Sequence, residues 1–439
     1  MGAGKTTAAC AVGGIDTDDL IEAAAGKPIA DIFRDDGEAA FRAHEEQAIV
    51  LALGGGAVTR PAVRDALDDA VTVWLDVDVD TCWERVRGSD RPLAQDEATF
   101  RRLYDERRPL YAEVADVVAR DLHDVALAAA GVHVERGALQ KLGELVPGDG
   151  PVGLVSDAHV AGIHGMDAQL ALGSRLSETH ELPAGEEAKT LVTLDRLWQE
   201  LRLDRRGTIV ALGGGCTTDA AGYAAAAYLR GIPWVPVPSS LVAQVDASIG
   251  GKTGIDLPQG KNLVGAFHWP ARTVIDPALL ETLPEPVRHE GMSEVVKTGL
   301  LAGEPLWELA DDELVRRCAA FKAAVCLRDP HDQGERAILN LGHTFAHALE
   351  AAAGYEGLSH GRAVALGLLA ALRLSGRDPG QVEEILRPAP VRVDRERAWE
   401  AMQRDKKAVG GELRLVLLDG YDIEVPAEDV RRELDRLIA

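Results

Sequence analysis

Residues 207–231 read GTIVALGGGCTTDAAGYAAAAYLRG. The run GTIVALGGG is strand-like and ends in three glycines, as backbone must where it approaches a ligand closely. An analogous ending, ALGGGAVTR, stands at 52–60 beside ALGGGCTTD at 211–219. The flanking sequences share no period, so the two are separate α/β modules that meet the same demand, not a duplication. Around the second ending, PVGLVSD and IPWVPVPSS are further strand-like runs closed by polar or glycine punctuation. Strands that alternate with helical patterns imply a parallel sheet.

The 439 residues suffice for two or three domains. Residues 1–122 form a first α/β module, with IVLALGGG and TVWLDVDVD as strands and PLYAEVADVVA as a strand-bound amphipathic segment. Residues 123–285 form a second α/β domain. From 286 to 439 the pattern is helical, closed by the strand-like ELRLVLLDG. MSEVVKTGLLAG, AILNLGHTFAHALEAAAG and GRAVALGLLAALRLSG there carry apolar residues at helical spacing. The net charge of −24 argues against nucleic acid or anionic membrane as a partner. It also makes lysines inside glycine-rich loops informative. The longest apolar run is too short to span a bilayer, which takes about 18–20 residues. Five scattered cysteines without a CxxC pair are expected to be free thiols, and the location expected is the cytoplasm.

In the first module GAGKTT at 2–7 is the back half of a P-loop, whose full form is Gly, four residues, then Gly-Lys-Ser/Thr. The leading glycine and the strand that launches the loop would precede Met1. The module therefore reads either as a kinase that starts late or as the remnant of one. Ten residues separate Lys5 from Asp16, enough only for a stub of helix and a stub of strand. Asp16 and Asp18 in IDTDDLIE can hold magnesium and a hydroxyl-bearing substrate, although a DxD in a loop is equally a turn or a cap. GKPIADIFRDDGEAAFRAHEE, LGGGAVTRP, RPLA and ERRPLYAEVAD follow in order, and together they resemble shikimate kinase. The resemblance implies ATP on Gly2, Gly4, Lys5 and Thr6, and magnesium on Thr6 and Asp16. It implies shikimate among Asp18, Arg42, Gly55 and Arg107, with Arg91 as the lid arginine that reaches the transferred phosphate.

In the second half His343 and His347 lie four apart, hence on one helix face. The spacing fits metal ligands, and it equally fits two core histidines with satisfied hydrogen bonds. Glu294 and His360, on other helical stretches, complete enough nitrogen and oxygen donors for a catalytic zinc site with an open position. Lysines are usually solvated surface charge. Here Lys252 and Lys261 have glycine neighbours, and Asn262 and Asn340 stand inside the same motifs, which favours an anion pocket.

The ordered series PAGEEAKT, GGGCTTDAAGYAAAAYLRG, PSSLVAQVDASIGGKTGID, GKNLVGAFHWP, GMSEVVKTGLL, ERAILNLGHTFAHALE, SHGRAVALG and RDKKAVGGELR resembles 3-dehydroquinate synthase from about residue 131 to the end. The resemblance selects Glu294, His343 and His360 as ligands of zinc or cobalt and gives His347 to substrate. It implies that Lys252, Asn262, Arg336, His347 and Lys406 grip the substrate's phosphate-bearing end or its carboxylate, and that Asp246, Lys297, Lys322 and Asn340 hold its hydroxyls. Arg230 would reach into a neighbouring subunit, hence a homodimer. NAD would lie over Asp157, which ends PVGLVSD where an acidic residue can accept from a ribose. Gly214, Gly215 and Asp219 would meet its pyrophosphate and nicotinamide side, with Glu186, Lys189, Ser239, Ser240 and Lys261 nearby. Thr218, where a glycine is commoner, would crowd that loop.

The implied reaction removes a hydride from a hydroxyl of a seven-carbon keto-acid phosphate, eliminates phosphate, returns the hydride and closes a carbocycle, so NAD is regenerated. The full reading is a P-loop kinase-like module followed by a Rossmann-like α/β domain and a mostly α-helical domain. It implies a bifunctional shikimate-pathway enzyme that takes only small-molecule substrates. The alternatives are a synthase whose first lobe is not catalytic, another NAD- and metal-dependent sugar-phosphate cyclase, and a polyol dehydrogenase.

Overall fold

The computed structural model describes residues 2–14, 16, 52–68, 70–89, 92–354, 357–405 and 412–439. The chain forms two compact units, Met1–Ala130 and Gly131–Ala439. The first extends eight residues beyond 122 because the helix Leu122–Ala129 belongs to it. Asp121 caps that helix by accepting from the His123 and Asp124 N–H groups. The helix buries Val125, Ala126 and Leu127 and packs on the helix Lys5–Ala11.

In the first unit Gly4 takes a left-handed φ of 87° and starts the helix Lys5–Ala11. Asp16 meets Ala52 in an isolated parallel bridge. The helix is as short as ten residues permit. Val73–Leu75 pairs in parallel with Val117–Ala119. PLYAEVADVVA is not one amphipathic segment. The helix Glu97–Val114 runs through Pro109 to Val114, and the strand starts only at Val117. In TVWLDVDVD the strand stops at Leu75, and Asp78 accepts from the Thr81 N–H to start the helix Val79–Val86. Between these elements lies a cavity of about 610 Å³, lined largely by apolar side chains such as Ala8, Val12, Leu75, Phe100 and Val125.

The second unit is built on a four-stranded parallel sheet. Its order is Leu176–Leu182, Val152–Asp157, Thr208–Gly213, Trp234–Pro238. Every residue of Val152–Asp157 and of Thr208–Gly213 is buried, the pattern of a sheet covered on both faces. The chain runs outward from Val152–Asp157 to Leu176–Leu182 and then crosses back to Thr208–Gly213. The carboxyl ends of the first and third strands thus open the crevice where doubly wound sheets bind ligands. An antiparallel hairpin, Lys252–Leu257 with Gly260–Phe267, follows.

From Glu285 the unit is helical: Glu285–Ala302, Asp311–Arg328, His343–Ala352, His360–Leu374, Gly380–Leu386 and Arg395–Asp405. The hairpin Glu412–Leu417 with Gly420–Pro426 comes next, and then Ala427–Arg436. His343–Ala352 and His360–Leu374 supply much of one large apolar core. Two backbone approaches fix their neighbours. A Cβ on Gly361 would stand 2.3 Å from the Glu290 carbonyl oxygen, and one on Gly367 2.0 Å from that of Gly342.

Among the described residues no helix is long and apolar enough to cross a membrane. All five cysteines are free. Because the described strands of the first unit are three residues long and surround a cavity, two calorimetric transitions are expected, with residues 1–130 melting first. A single transition, with proteolysis of both units beginning together, would contradict this.

Candidate active site

Glu294 stands mid-way along Glu285–Ala302, His343 is the first residue of its helix, and His360 is the first of the next. One ligand atom from each lies within 4.8 Å of the others. His343 Nε2 is 3.6 Å and His360 Nε2 3.5 Å from Glu294 Oε1. Glu294 is 1% exposed, and neither of its oxygens has a hydrogen bond of good geometry, although Lys297 Nζ lies against Oε2. Two imidazole nitrogens around a buried carboxylate fit a borderline-soft divalent cation such as Zn²⁺ or Co²⁺.

The cluster's electrostatics are sharply divided. Burial, helped by Lys297, pulls His343 down to about 3. Burial also opposes charge on His360, but contacts with Glu294 and Glu350 outweigh it and raise the imidazole to about 10. Burial pushes Glu294 up, and Lys297 and the two histidines more than reverse this, holding it well below the usual carboxylate range. His347 shares the helix with His343, its ring 5.6 Å away, but it is exposed and outside the cluster.

A ladder of alternating charge leads away from the cluster. Lys297 Nζ is 3.7 Å from Asp246 Oδ1. Lys322 Nζ donates to the Asp246 carbonyl oxygen at 2.6 Å and lies 2.9 Å from Oδ1. Burial raises Asp246, and the two ammonium groups overcome it and leave it lowered. Beyond the ladder, Gly250 and Gly251 both take left-handed φ values, 90° and 68°. Arg336 is 2% exposed and donates to the carbonyl oxygens of Gly250 and Pro330, with its guanidinium 5.9 Å from the Phe267 ring centroid. Lys252 is ion-paired with Asp332. Asn340 ends the 3₁₀ turn Glu335–Asn340, two residues before the left-handed Gly342.

At the sheet crevice Gly213 ends its strand, and Gly214 caps the helix Gly215–Ala227. A Cβ on Gly214 would meet Ser240 Oγ at 3.5 Å, in ordinary contact. The Ser239 N–H donates to the Gly213 carbonyl oxygen at 2.9 Å. Asp157 accepts from the His159 and Val160 N–H groups with Oδ1 and from Thr217 Oγ1 with Oδ2. Three of its four acceptor sites are therefore taken by protein. Thr218 does not crowd the loop. It sits inside the helix, and its hydroxyl donates back to the Gly215 carbonyl oxygen at 3.1 Å. Lys189, 4% exposed, donates to Asp219 at 2.8 Å and to Asn262, and lies 3.8 Å from Asp256. Burial lowers its ammonium, and Asp219 and Asp256 reverse that and leave it raised. Lys261 pairs with Glu186 at 2.6 Å and approaches Glu350 at 3.9 Å, so the turn Gly185–Lys189 and the histidine cluster are linked through charge.

Arg230 is exposed and lies in a left-handed turn with Leu229 (φ 69° and 51°). In the first unit Thr6 Oγ1 donates to Asp16. Arg107 is 8% exposed and donates to the Gly55 carbonyl oxygen at 3.3 Å. Lys5, Gly55 and Arg107 all line the 610 Å³ cavity. Gly2, at φ 77°, has its carbonyl oxygen held by Arg85 at 3.1 Å. Asp18, Arg42, Arg91 and Lys406 lie outside the described residues. The sequence reading passed over Asp256, Asp332 and Glu350. For Glu350 a signal existed, since 343, 347 and 350 share a helix face; the other two are loop or strand carboxylates with nothing to single them out.

Comparison with known proteins agrees with this division. The shikimate kinase family matches residues 1–132, the N-terminal part of 3-dehydroquinate synthase residues 179–290, and its C-terminal part residues 291–408. The 3-dehydroquinate synthase of Bordetella pertussis is 39% identical over 343 residues, covering 70% of this chain and 95% of the relative. Among solved structures, a 2-deoxy-scyllo-inosose synthase complexed with carbaglucose-6-phosphate, NAD⁺ and Co²⁺ aligns with a TM-score of 0.62 at 25% identity. It covers 70% of this chain and 96% of that one. The 2-epi-5-epi-valiolone synthase of Streptomyces hygroscopicus, with NAD⁺ and Zn²⁺ bound, has the same fold at a TM-score of 0.60 and 24% identity, covering 70% of this chain and 96% of that one. This chain belongs to the 3-dehydroquinate synthase family and carries a shikimate kinase domain at its N-terminus.

Proposed function

We propose that residues 131–439 convert 3-deoxy-arabino-heptulosonate 7-phosphate to 3-dehydroquinate and phosphate with NAD and zinc or cobalt, and that the first unit phosphorylates shikimate from ATP with magnesium. The observation that carries the synthase reading is the cluster of Glu294, His343 and His360, joined by charge through Glu350 and Lys261 to Glu186 on the turn Gly185–Lys189. Identity near 40% with dehydroquinate synthases, against 25% with the cyclase of known structure, favours this substrate over another sugar phosphate.

Glu294, His343 and His360 would hold the cation, whose chemistry when bound is to polarise a substrate hydroxyl. NAD, when bound, accepts and returns one hydride. Gly214 and Gly215 give its pyrophosphate backbone N–H groups at a helix N-terminus. Asp157 offers one remaining acceptor, and Glu186, Lys189, Asp219, Ser239, Ser240 and Lys261 surround it. Lys297 and Lys322, anchored on Asp246, present ammonium groups to the substrate hydroxyls beside Asn340. Lys252, Asn262, Arg336, His347 and Lys406 are the anion grip, and substrate must take Lys252 from Asp332. The ions in this ladder are paired before substrate arrives, so the site is ordered in advance.

In the first unit Lys5 and the Gly2 and Gly4 backbone would cradle ATP, Thr6 and Asp16 would hold magnesium, and Asp18, Arg42, Gly55, Arg91 and Arg107 would surround shikimate. The cavity between the short strands favours a second reading, a lobe that folds but does not turn over. One preparation of the full chain tests both halves. Phosphate release from the heptulosonate phosphate without stoichiometric NAD consumption is expected, as is ATP-dependent phosphorylation of shikimate that Lys5→Ala abolishes. Release of phosphate without any shikimate phosphorylation would establish the non-catalytic lobe; accumulation of NADH would point to a dehydrogenase instead.

Arg230, held outward by its turn, would reach into the neighbouring subunit of a homodimer. Sedimentation equilibrium at micromolar concentration is expected to give twice the chain mass, and a monomer with full synthase turnover would refute the shared-site dimer. Five unpaired thiols suit a reducing compartment, so the location proposed is the cytoplasm.

A further inference from the structure

Glu350 has no place in the scheme above, yet it is 2% exposed, and a carboxylate is rarely buried without a partner that needs it. It sits on His343–Ala352 seven residues after His343, on the face that carries His343 itself. Its Oε1 has no hydrogen bond of good geometry and lies 3.4 Å from His360 Nδ1. The other nitrogen of that ring, Nε2, faces Glu294 at 3.5 Å. His343 is arranged in the same way: its Nδ1 lies 3.2 Å from the Leu341 carbonyl oxygen while its Nε2 faces Glu294. Each imidazole thus turns one nitrogen to an acceptor outside the cluster and the other inward. For His343 that acceptor is backbone held by the Gly342 turn. For His360, which opens its helix, it is a side chain.

We propose that Glu350 is a positioning residue for the metal centre: it accepts the Nδ1–H of His360, fixes that tautomer, and aims the Nε2 lone pair at the cation shared with Glu294 and His343. Outer carboxylates of this kind orient ligating histidines and raise their basicity. Lys261, 3.9 Å from Glu350 and 2.6 Å from Glu186, ties the carboxylate to the turn Gly185–Lys189 on the cofactor side. The proposal rests on the metal reading of the cluster.

The test is titration of the chelator-treated full chain with Co²⁺, followed by its visible ligand-field bands, for wild type, Glu350→Ala, Glu350→Gln and His343→Ala. Glu350→Ala is expected to raise the Co²⁺ dissociation constant about 10- to 100-fold and to shift the bands. Glu350→Gln, which keeps an acceptor without the charge, is expected to lose about 3- to 10-fold and to retain the band positions. Wild-type affinity and spectrum in Glu350→Ala, in a preparation where His343→Ala has lost Co²⁺, would overturn the proposal alone. If Glu350→Ala does not fold, Glu350→Gln decides: a wild-type dissociation constant overturns the proposal, and a raised one at an unchanged melting temperature supports it. Identical Co²⁺ binding by wild type and His343→Ala would overturn the metal reading, and this proposal with it.

Discussion

His343→Ala should lose its bound zinc or cobalt and, with it, phosphate release from the heptulosonate phosphate. The loss follows from what His343 contributes. It is buried, burial and Lys297 hold it near 3, and it therefore offers a neutral nitrogen to a cation at neutral pH. His347, one helical turn away, is exposed and lies outside the cluster. A Lewis acid supplies several kcal/mol of charge stabilisation, so its loss is expected to cost about a thousandfold or more in turnover. Metal content of the purified variant and kcat under saturating substrate are the measurements. The melting temperature should move little, since alanine suits the first turn of a helix. A variant that keeps metal and loses less than about tenfold would remove His343 from the site.

Gly367→Ala is expected to be among the most damaging single-methyl changes in the synthase unit. The added Cβ would stand 2.0 Å from the Gly342 carbonyl oxygen and 3.3 Å from the Ala346 N, backbone atoms on both counts. Neither can swing aside as a flexible side chain would. The helices His343–Ala352 and His360–Leu374 must separate, and overpacking a core typically costs about 1–3 kcal/mol, more where only backbone can yield. The separation also moves His343 away from His360, whose ring centroids are 5.4 Å apart. Thermal unfolding should shift down by several degrees, and Co²⁺ affinity should fall in the same variant although no ligand has been changed. Stability lost with metal affinity intact would mean that the two helices can part without disturbing the cluster.

This second prediction marks where the sequence stops being sufficient. The strand runs PVGLVSD, GTIVALGGG and IPWVPVPSS were legible because an apolar stretch buried on both faces and closed by glycine or a polar residue has few other solutions. ELRLVLLDG paired as a hairpin strand for a similar reason. The extent of the first unit was not legible, because it is packing on Lys5–Ala11 and on the strands Val73–Leu75 and Val117–Ala119 that assigns the helix Leu122–Ala129 to it. PLYAEVADVVA divides into the end of a helix and the start of a strand, and periodicity cannot locate the residue at which one gives way to the other.

The sequence by itself determined the classes of chemistry: an acidic chain with its cations gathered in glycine-rich motifs, two strand endings built for close approach, and histidines at helical spacing. His343 and His347 were the pair that spacing could see, since positions four apart must share a face. Only the tertiary structure brings His343 together with Glu294 and His360 and leaves His347 outside that cluster. It also set Asp332 against Lys252 and Glu350 against His360. The reason is that local periodicity fixes a side chain's direction on its own helix, whereas distances between helices depend on backbone contacts such as Gly361 on Glu290 and Gly367 on Gly342, which join residues remote in sequence.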